Sequence, residues 1–187
     1  MPFVHLGIHS EFSITDSIIR IPDLIKAAVA DQMPALALTD LSNLHAAVKF
    51  YRACLGKGIK PIFGSEIRLG DEQHRATLLA MNHQGWLNLT EVVSRGFSEG
   101  LTLDIPIVKK EWILEQSEGL IVLLGLHSDV GQALCSSVPQ KADTLIEDWI
   151  NTFGNRVYLA ITRTGRPNEE LFLQHACQLA QKYHIGV

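Results

Sequence analysis

Short apolar runs recur along this chain, separated by longer stretches in which apolar residues return every three or four positions. The first kind reads as strands and the second as amphipathic helices. Phe3, Val4, Leu6 and Ile8 predict an opening strand, with His5, Gly7 and His9 on its other face. Ser10 to Ser17 is polar with two apolar interruptions and reads as a loop. Further strands are expected at Leu36 to Leu38, in KPIFGSEIRL with Glu66, in ATLLAM, in LIVLL and from Val157 to Ile161. Ile185, Gly186 and Val187 read as the start of a seventh strand.

Helices are expected between them. Ile21 to Asp31 has Pro22 in its first turn, where proline is tolerated. Leu44 to Leu55 carries Leu44, Ala47, Val48, Tyr51 and Leu55 on one face, with Gly56 and Gly58 to end it. Trp86 to Ser98, Lys110 to Gln116, Asp129 to Leu134, Lys141 to Thr152 and Asn168 to Tyr183 follow, and Ser98 to Ile107 reads as loop. Strands alternating with helices predict βα units and a parallel sheet. Such folds place their sites at the C-terminal ends of the strands, where His9, Asp40, Glu66 and His127 fall. Polar residues collect in those loops in any βα protein, so the clustering supports a structural reading as well as a functional one.

Composition narrows the classes. The chain has 187 residues, 47% hydrophobic and 19% charged, which is enough for one domain with a real core. A formal net charge of -4 argues against unaided capture of a nucleic-acid backbone. Cys54, Cys135 and Cys177 are scattered and form no CxxC, so neither a zinc knuckle nor a disulfide framework is expected, and a reducing cytoplasm fits best. Charged and histidine residues from His5 to Asp16 exclude a signal peptide there, and no apolar run approaches the ~20 residues of a membrane span. There is no phosphate-binding glycine loop and no GxSxG elbow.

The motifs HLGIHSEFS, MPALALTD, LHAAVKFYRACLGKGIKPIFGSE, GWLNLTEVVS, EGLIVLLG and TRTGRPNEE, in this order, resemble the N-terminal PHP (polymerase and histidinol phosphatase) domain of bacterial DNA polymerase III alpha subunits. The resemblance runs from about Phe3 to Val187. It implies an α/β fold of the distorted (β/α)7 barrel type, here stopping before the last strand. Residues 1–187 are then one PHP domain, incomplete at its C-terminal end, from a much longer polymerase chain.

Active members of that family hold a cluster of metal ions and hydrolyse phosphoesters. By resemblance the ligand positions fall on Gly7 and His9, on Asp40 and Leu41, on Glu66 and on Arg75, with later ones near Gly125, Leu126 and Ala160. His9, Asp40 and Glu66 retain ligand atoms, whereas Gly7, Leu41 and Arg75 do not. Three scattered ligands cannot hold two or three ions around a nucleophilic water. Arg75 is expected to pair with Asp40 or Glu66 and to stand in for the metal charge. These six are therefore expected as vestigial metal-site positions, with no catalytic residue, no metal and no cofactor for this chain.

By the same resemblance, the parent chain is a DNA-directed DNA polymerase of chromosomal replication, using magnesium in its polymerase parts. This domain is expected to be an inactive platform that docks the proofreading exonuclease (epsilon) subunit and meets other replisome subunits, with DNA contacted only through the rest of the parent chain. An active metal-dependent phosphoesterase or 3′–5′ exonuclease is the alternative.

Overall fold

The computed structural model describes residues 3–14, 16–70 and 74–187. The chain begins with α1 (Ile21–Ala30), β1 (Ala35–Leu38), α2 (Ala47–Leu55), β2 (Lys60–Leu69), β3 (His74–Ala80) and α3 (His83–Ser98). A small hairpin of β4 (Leu101–Thr102) and β5 (Ile105–Pro106) interrupts the stretch expected to be loop, and α4 (Lys110–Glu115) follows. The second half contains β6 (Leu120–Leu124), α5 (Asp129–Leu134), α6 (Lys141–Phe153), β7 (Val157–Leu159) and α7 (Glu169–Tyr183). Among the described residues, no helix is long and apolar enough to cross a membrane.

Five strands form one sheet in the order β1-β2-β3-β6-β7. The expectation of an all-parallel sheet fails at its centre. β1 and β2 are parallel, as are β6 and β7, but β3 runs antiparallel to both β2 and β6. At the β2–β3 pair the cause is connection length. A parallel crossover needs a dozen or more residues. The β1–β2 and β6–β7 connections have them and carry helices, whereas only residues 70–73 separate β2 from β3.

The opening stretch also departs from its pattern. Phe3 to Ile8 lies along β1 without forming a regular strand. Ala37 N donates to His5 O at 2.9 Å and Thr39 N to Ile8 O at 2.8 Å. His5 and Ile8 are three residues apart while their partners are two apart, so one extra residue breaks the ladder, as in a bulge. At the other edge, Leu159 N donates to Gly186 O at 3.0 Å, and Gly186 pairs with Tyr158 where the seventh strand was expected to start.

Alternation along the strands gives the sheet two unlike faces. Ile67, Leu69, Ala76, Leu78, Leu120, Val122 and Leu124 face the helices and join Leu89, Ile113, Ile146, Trp149 and Phe172 in the main core. Leu36 and Leu38 pack with Ile21, Ile25, Phe50 and Cys54 of α1 and α2. The other face carries Ala37, Ile62, Leu79, Ile121, Leu123 and Ala160, with Glu66, Arg75 and Thr77 beside them, and it lines an open cleft of about 1910 Å³. The helices of the two larger cores pack against the first face, and Glu66 and Arg75 of the strands point into the cleft.

One helix turns the opposite way from its expected phase. α2 buries Phe50 and Cys54, both 0% exposed, while Val48 is 64%, Tyr51 45% and Leu55 55% exposed. The bulky Phe50 ring sets the rotation by packing edge-on against Phe63 of β2, centroids 6.2 Å apart. Leu44, expected on the same stripe, lies before the helix begins. Phe50→Ala is expected to lower unfolding stability by about 3–5 kcal/mol, and Val48→Ala by no more than about 0.5 kcal/mol. Urea denaturation of both variants checks the phase, and a reversed order would contradict it.

Candidate functional site

The charged site sits where the opening loop meets the cleft face of β2 and β3. Glu66 lies opposite Thr77 in the β2–β3 ladder, and Arg75 is two residues along β3 on the same face. That diagonal is within reach of a long side chain. Arg75 Nη1 donates to Glu66 Oε2 at 3.0 Å and to Asp16 Oδ2 at 3.2 Å. His9 closes the ring from the other side, with Nδ1 3.0 Å from Asp16 Oδ2 and Nε2 3.3 Å from Glu66 Oε2. One oxygen of each carboxylate therefore faces both cationic side chains. The Arg75 backbone is fixed as well, its N–H donating to His127 O at 2.8 Å.

Charge balance explains the direction in which the groups of this quartet shift. Two carboxylates beside one guanidinium leave a net negative charge, which a protonated imidazole cancels. Burial alone would lower the pKa of His9, but its bond to Glu66 and the charges of Glu66 and Asp16 outweigh burial and raise it above 6.5. Burial likewise opposes ionisation of Glu66 and Asp16. For Glu66, the bond and charge of His9 and then Arg75 bring the carboxyl below its usual range. For Asp16, the charges of Arg75 and His9 do so.

Of the six positions expected at the site, the structure brings His9, Glu66 and Arg75 together, and Gly7 lines the same cleft. A Cβ added at Gly7 would meet nothing within 4 Å, so close packing does not explain the glycine. Asp40 and Leu41 do not belong to the constellation. Asp40 is 2% exposed, and its oxygens accept from Ser10 N at 2.6 Å, Ser10 Oγ at 2.8 Å and Ser13 Oγ at 2.7 Å. Leu41 is buried beside β2, where it forms a parallel bridge with Glu66, and its N–H is bonded to Ser13 Oγ at 3.0 Å. Asp40 thus fastens the opening loop to the end of β1, and this holds His9 and Asp16 over the cleft. Of the two pairings expected for Arg75, only the one with Glu66 forms.

Asp16 was missed. Its signal was weak, a carboxylate seven residues after His9 in a loop whose path is set by the Asp40 contacts. Those contacts depend on a residue 30 positions away from Ser10.

Among the described residues, the donor set at this site is too small for a multinuclear metal cluster. His9, Asp16 and Glu66 bring one ligand atom each within 4.8 Å of one another. The Glu66 and Asp16 oxygens in question are the ones Arg75 holds, and a fixed guanidinium repels a divalent cation there. Gly7 and Ala160 add no ligand atom to the cleft lining.

Two outcomes follow. His9, with its folded pKa raised, contributes stability fully below about 6.5, and that contribution fades as pH rises through the folded value. Glu66 and Asp16, with folded pKa values lowered, contribute above their ordinary 4.5 and 3.8 and lose this as pH falls. An NMR titration should therefore place the His9 midpoint above 6.5, and Glu66→Gln should bring it down. A wild-type midpoint below 6.5 would contradict the quartet. Asp40→Ala is expected to cost about 3 kcal/mol of stability in chemical denaturation, because three buried donors lose a charged acceptor.

Comparison with known proteins agrees with this architecture. A family model of the PHP domain matches residues 5–164. The chain is 42% identical over 186 residues to a DNA polymerase III subunit alpha of Pseudomonas fluorescens, covering 96% of this chain and 16% of that protein. It is 41% identical over 191 residues to the Escherichia coli K12 subunit, covering 99% of this chain and 16% of that one. The chain thus spans about a sixth of the length of these relatives, matching their N-terminal part. Among solved structures, an amidohydrolase from Chromobacterium violaceum, with bound sulfate and no metal, superposes with a TM-score of 0.60 at 13% identity. That match covers 97% of this chain and 84% of the other, and it speaks for the fold alone. A protein from Bifidobacterium adolescentis assigned as a metal-dependent phosphoesterase matches with the same TM-score and identity, over 98% and 85%. The chain belongs to the PHP domain family, with the α/β architecture of its (β/α) barrels.

Proposed function

We propose that this chain is the PHP module of a replicative DNA polymerase III alpha subunit, inactive as a phosphoesterase, and that it docks the proofreading exonuclease (epsilon) subunit in the cytoplasm. The supporting observation is Arg75, whose guanidinium lies 3.0 Å from Glu66 and 3.2 Å from Asp16 in the cleft. An arginine does not ionise a water at neutral pH or offer it an open coordination position, as a catalytic metal does. The quartet instead satisfies its own charges and ties the opening loop to the sheet. The role left to such a domain is mechanical: to position other parts of a polymerase and to hold a separate nuclease near the growing end at high effective concentration. Magnesium and nucleotidyl transfer belong, on this reading, to other regions of the longer subunit.

A second reading is favoured by one observation. His9, Asp16 and Glu66 supply three donors within 4.8 Å, so a single ion binding there with Arg75 displaced would give a metal-dependent phosphoesterase or 3′–5′ exonuclease.

One pair of measurements separates the two. The chain is expected to bind the cognate exonuclease subunit in calorimetric titration and to leave a labelled DNA 3′ end intact in manganese or zinc. Metal-dependent trimming that disappears in His9→Ala would overturn inactivity. Absence of heat with the exonuclease would overturn docking.

A further inference from the structure

The unexpected rotation of α2 leaves an apolar stripe without a partner inside the chain. Val48, Tyr51 and Leu55 lie at i, i+3 and i+7, so they form one ridge, and all three are exposed. Scattered exposed apolar residues are ordinary, but an aligned set is less so. The ridge is prolonged by partly buried aromatic rings. Tyr51 lies 6.3 Å from Phe63 of β2, and Phe63 lies 5.2 Å from Trp86 of α3. The result is a row of three rings running from α2 across the sheet to α3.

The segment that carries α2 and the start of β2 is basic. From Leu41 to Ser65 the sequence contains Lys49, Arg52, Lys57 and Lys60 and no acidic residue, in a chain of net charge -4. Lys49 is neutralised by Glu11 at 2.7 Å. Arg52, Lys57 and Lys60 are exposed, and among the described residues none of them forms an ion pair. An aromatic and aliphatic anchor row edged by unpaired cations is the composition of a protein-docking surface, where Tyr, Trp and Arg carry most of the binding energy.

We infer that the α2 face, from Val48, Tyr51 and Leu55 to Phe63 and Trp86, docks an acidic segment of a partner protein that inserts apolar side chains along the aromatic row. The inference rests on the docking role proposed above and names the surface and the chemistry of the segment. A nucleic-acid strand would use the cations but would gain nothing from desolvating Val48 and Leu55, so a peptide segment fits the surface better. Attraction of Arg52, Lys57 and Lys60 for acidic residues speeds encounter and fixes direction, and burial of the ridge sets the dissociation rate.

The test is calorimetric titration of the chain with the cognate exonuclease subunit, at low and at physiological salt. Tyr51→Glu with Leu55→Glu should weaken binding by at least about tenfold, with the circular dichroism spectrum unchanged because both side chains are exposed. Arg52→Glu with Lys57→Glu should weaken it mostly at low salt and flatten its salt dependence. Leu103→Glu, on the β4–β5 turn and 92% exposed, serves as the control and should bind as wild type. Binding by wild type that neither double variant disturbs would overturn this surface and leave the docking role standing. No binding by wild type would overturn both. A single-stranded oligonucleotide that binds wild type, is lost in the charge-reversed variant and is kept in Tyr51→Ala with Leu55→Ala would replace the peptide with a nucleic acid and overturn the inference.

Discussion

Two carboxylates facing one cleft require a cation, and in this molecule the cation is an arginine. Glu66 comes from the sheet and Asp16 from the opening loop, and Arg75 lies between them. Without a positive charge there, repulsion would drive one carboxylate to hold a proton or the loop to swing away. With Arg75 in place, the loop is drawn onto the sheet and His9 is drawn onto both carboxylates, whose charges raise its pKa. A second anchor makes this possible. Asp40, buried beneath the loop, gathers Ser10 and Ser13 and thereby sets where His9 and Asp16 stand. The three acids therefore do different work, Glu66 and Asp16 in an ion network at the cleft and Asp40 in a hydrogen-bonded staple behind it.

Much of this was legible in the residues, and the failures have physical causes. Helix and strand positions followed apolar periodicity closely, because burial on one helix stripe or one strand face is what selects them. The direction of β3 was not legible from periodicity, which is blind to orientation. It could have been read from the short link between Leu69 and His74, too short for a parallel crossover. The phase of α2 was lost because two apolar faces compete on that helix, and only the tertiary contact of Phe50 with Phe63 decides between them. Arg75 was expected to pair with Asp40 or Glu66 from the ligand positions of the resemblance, and the β2–β3 register places it beside Glu66. Asp16 was not foreseen, since a loop has no periodicity and its course depends on the distant Asp40. Asp40 itself looked like a site residue because an aspartate at the end of a buried strand is equally suited to a ligand and to a loop staple.

The fold also explains why the cleft is wide. The helices of the two larger cores pack on one face of the sheet, leaving Ala37, Ile62, Leu79, Ile121 and Leu123 toward the cleft. In this architecture a barrel interior is filled by side chains from its own strands, so an apolar cleft of about 1910 Å³ beside an ion network combines a packing surface with a neutralised mouth.

The central claim is that Arg75 occupies the electrostatic place of a metal cluster, and metal content tests it most directly. The purified chain would be incubated with excess zinc or manganese, dialysed to equilibrium against metal-free buffer and subjected to elemental analysis, beside Arg75→His. The account predicts that wild type retains less than about one ion per chain, since the Glu66 and Asp16 oxygens that could bind it are held by a fixed guanidinium. Retention of two or more transition-metal ions per chain by wild type would contradict it.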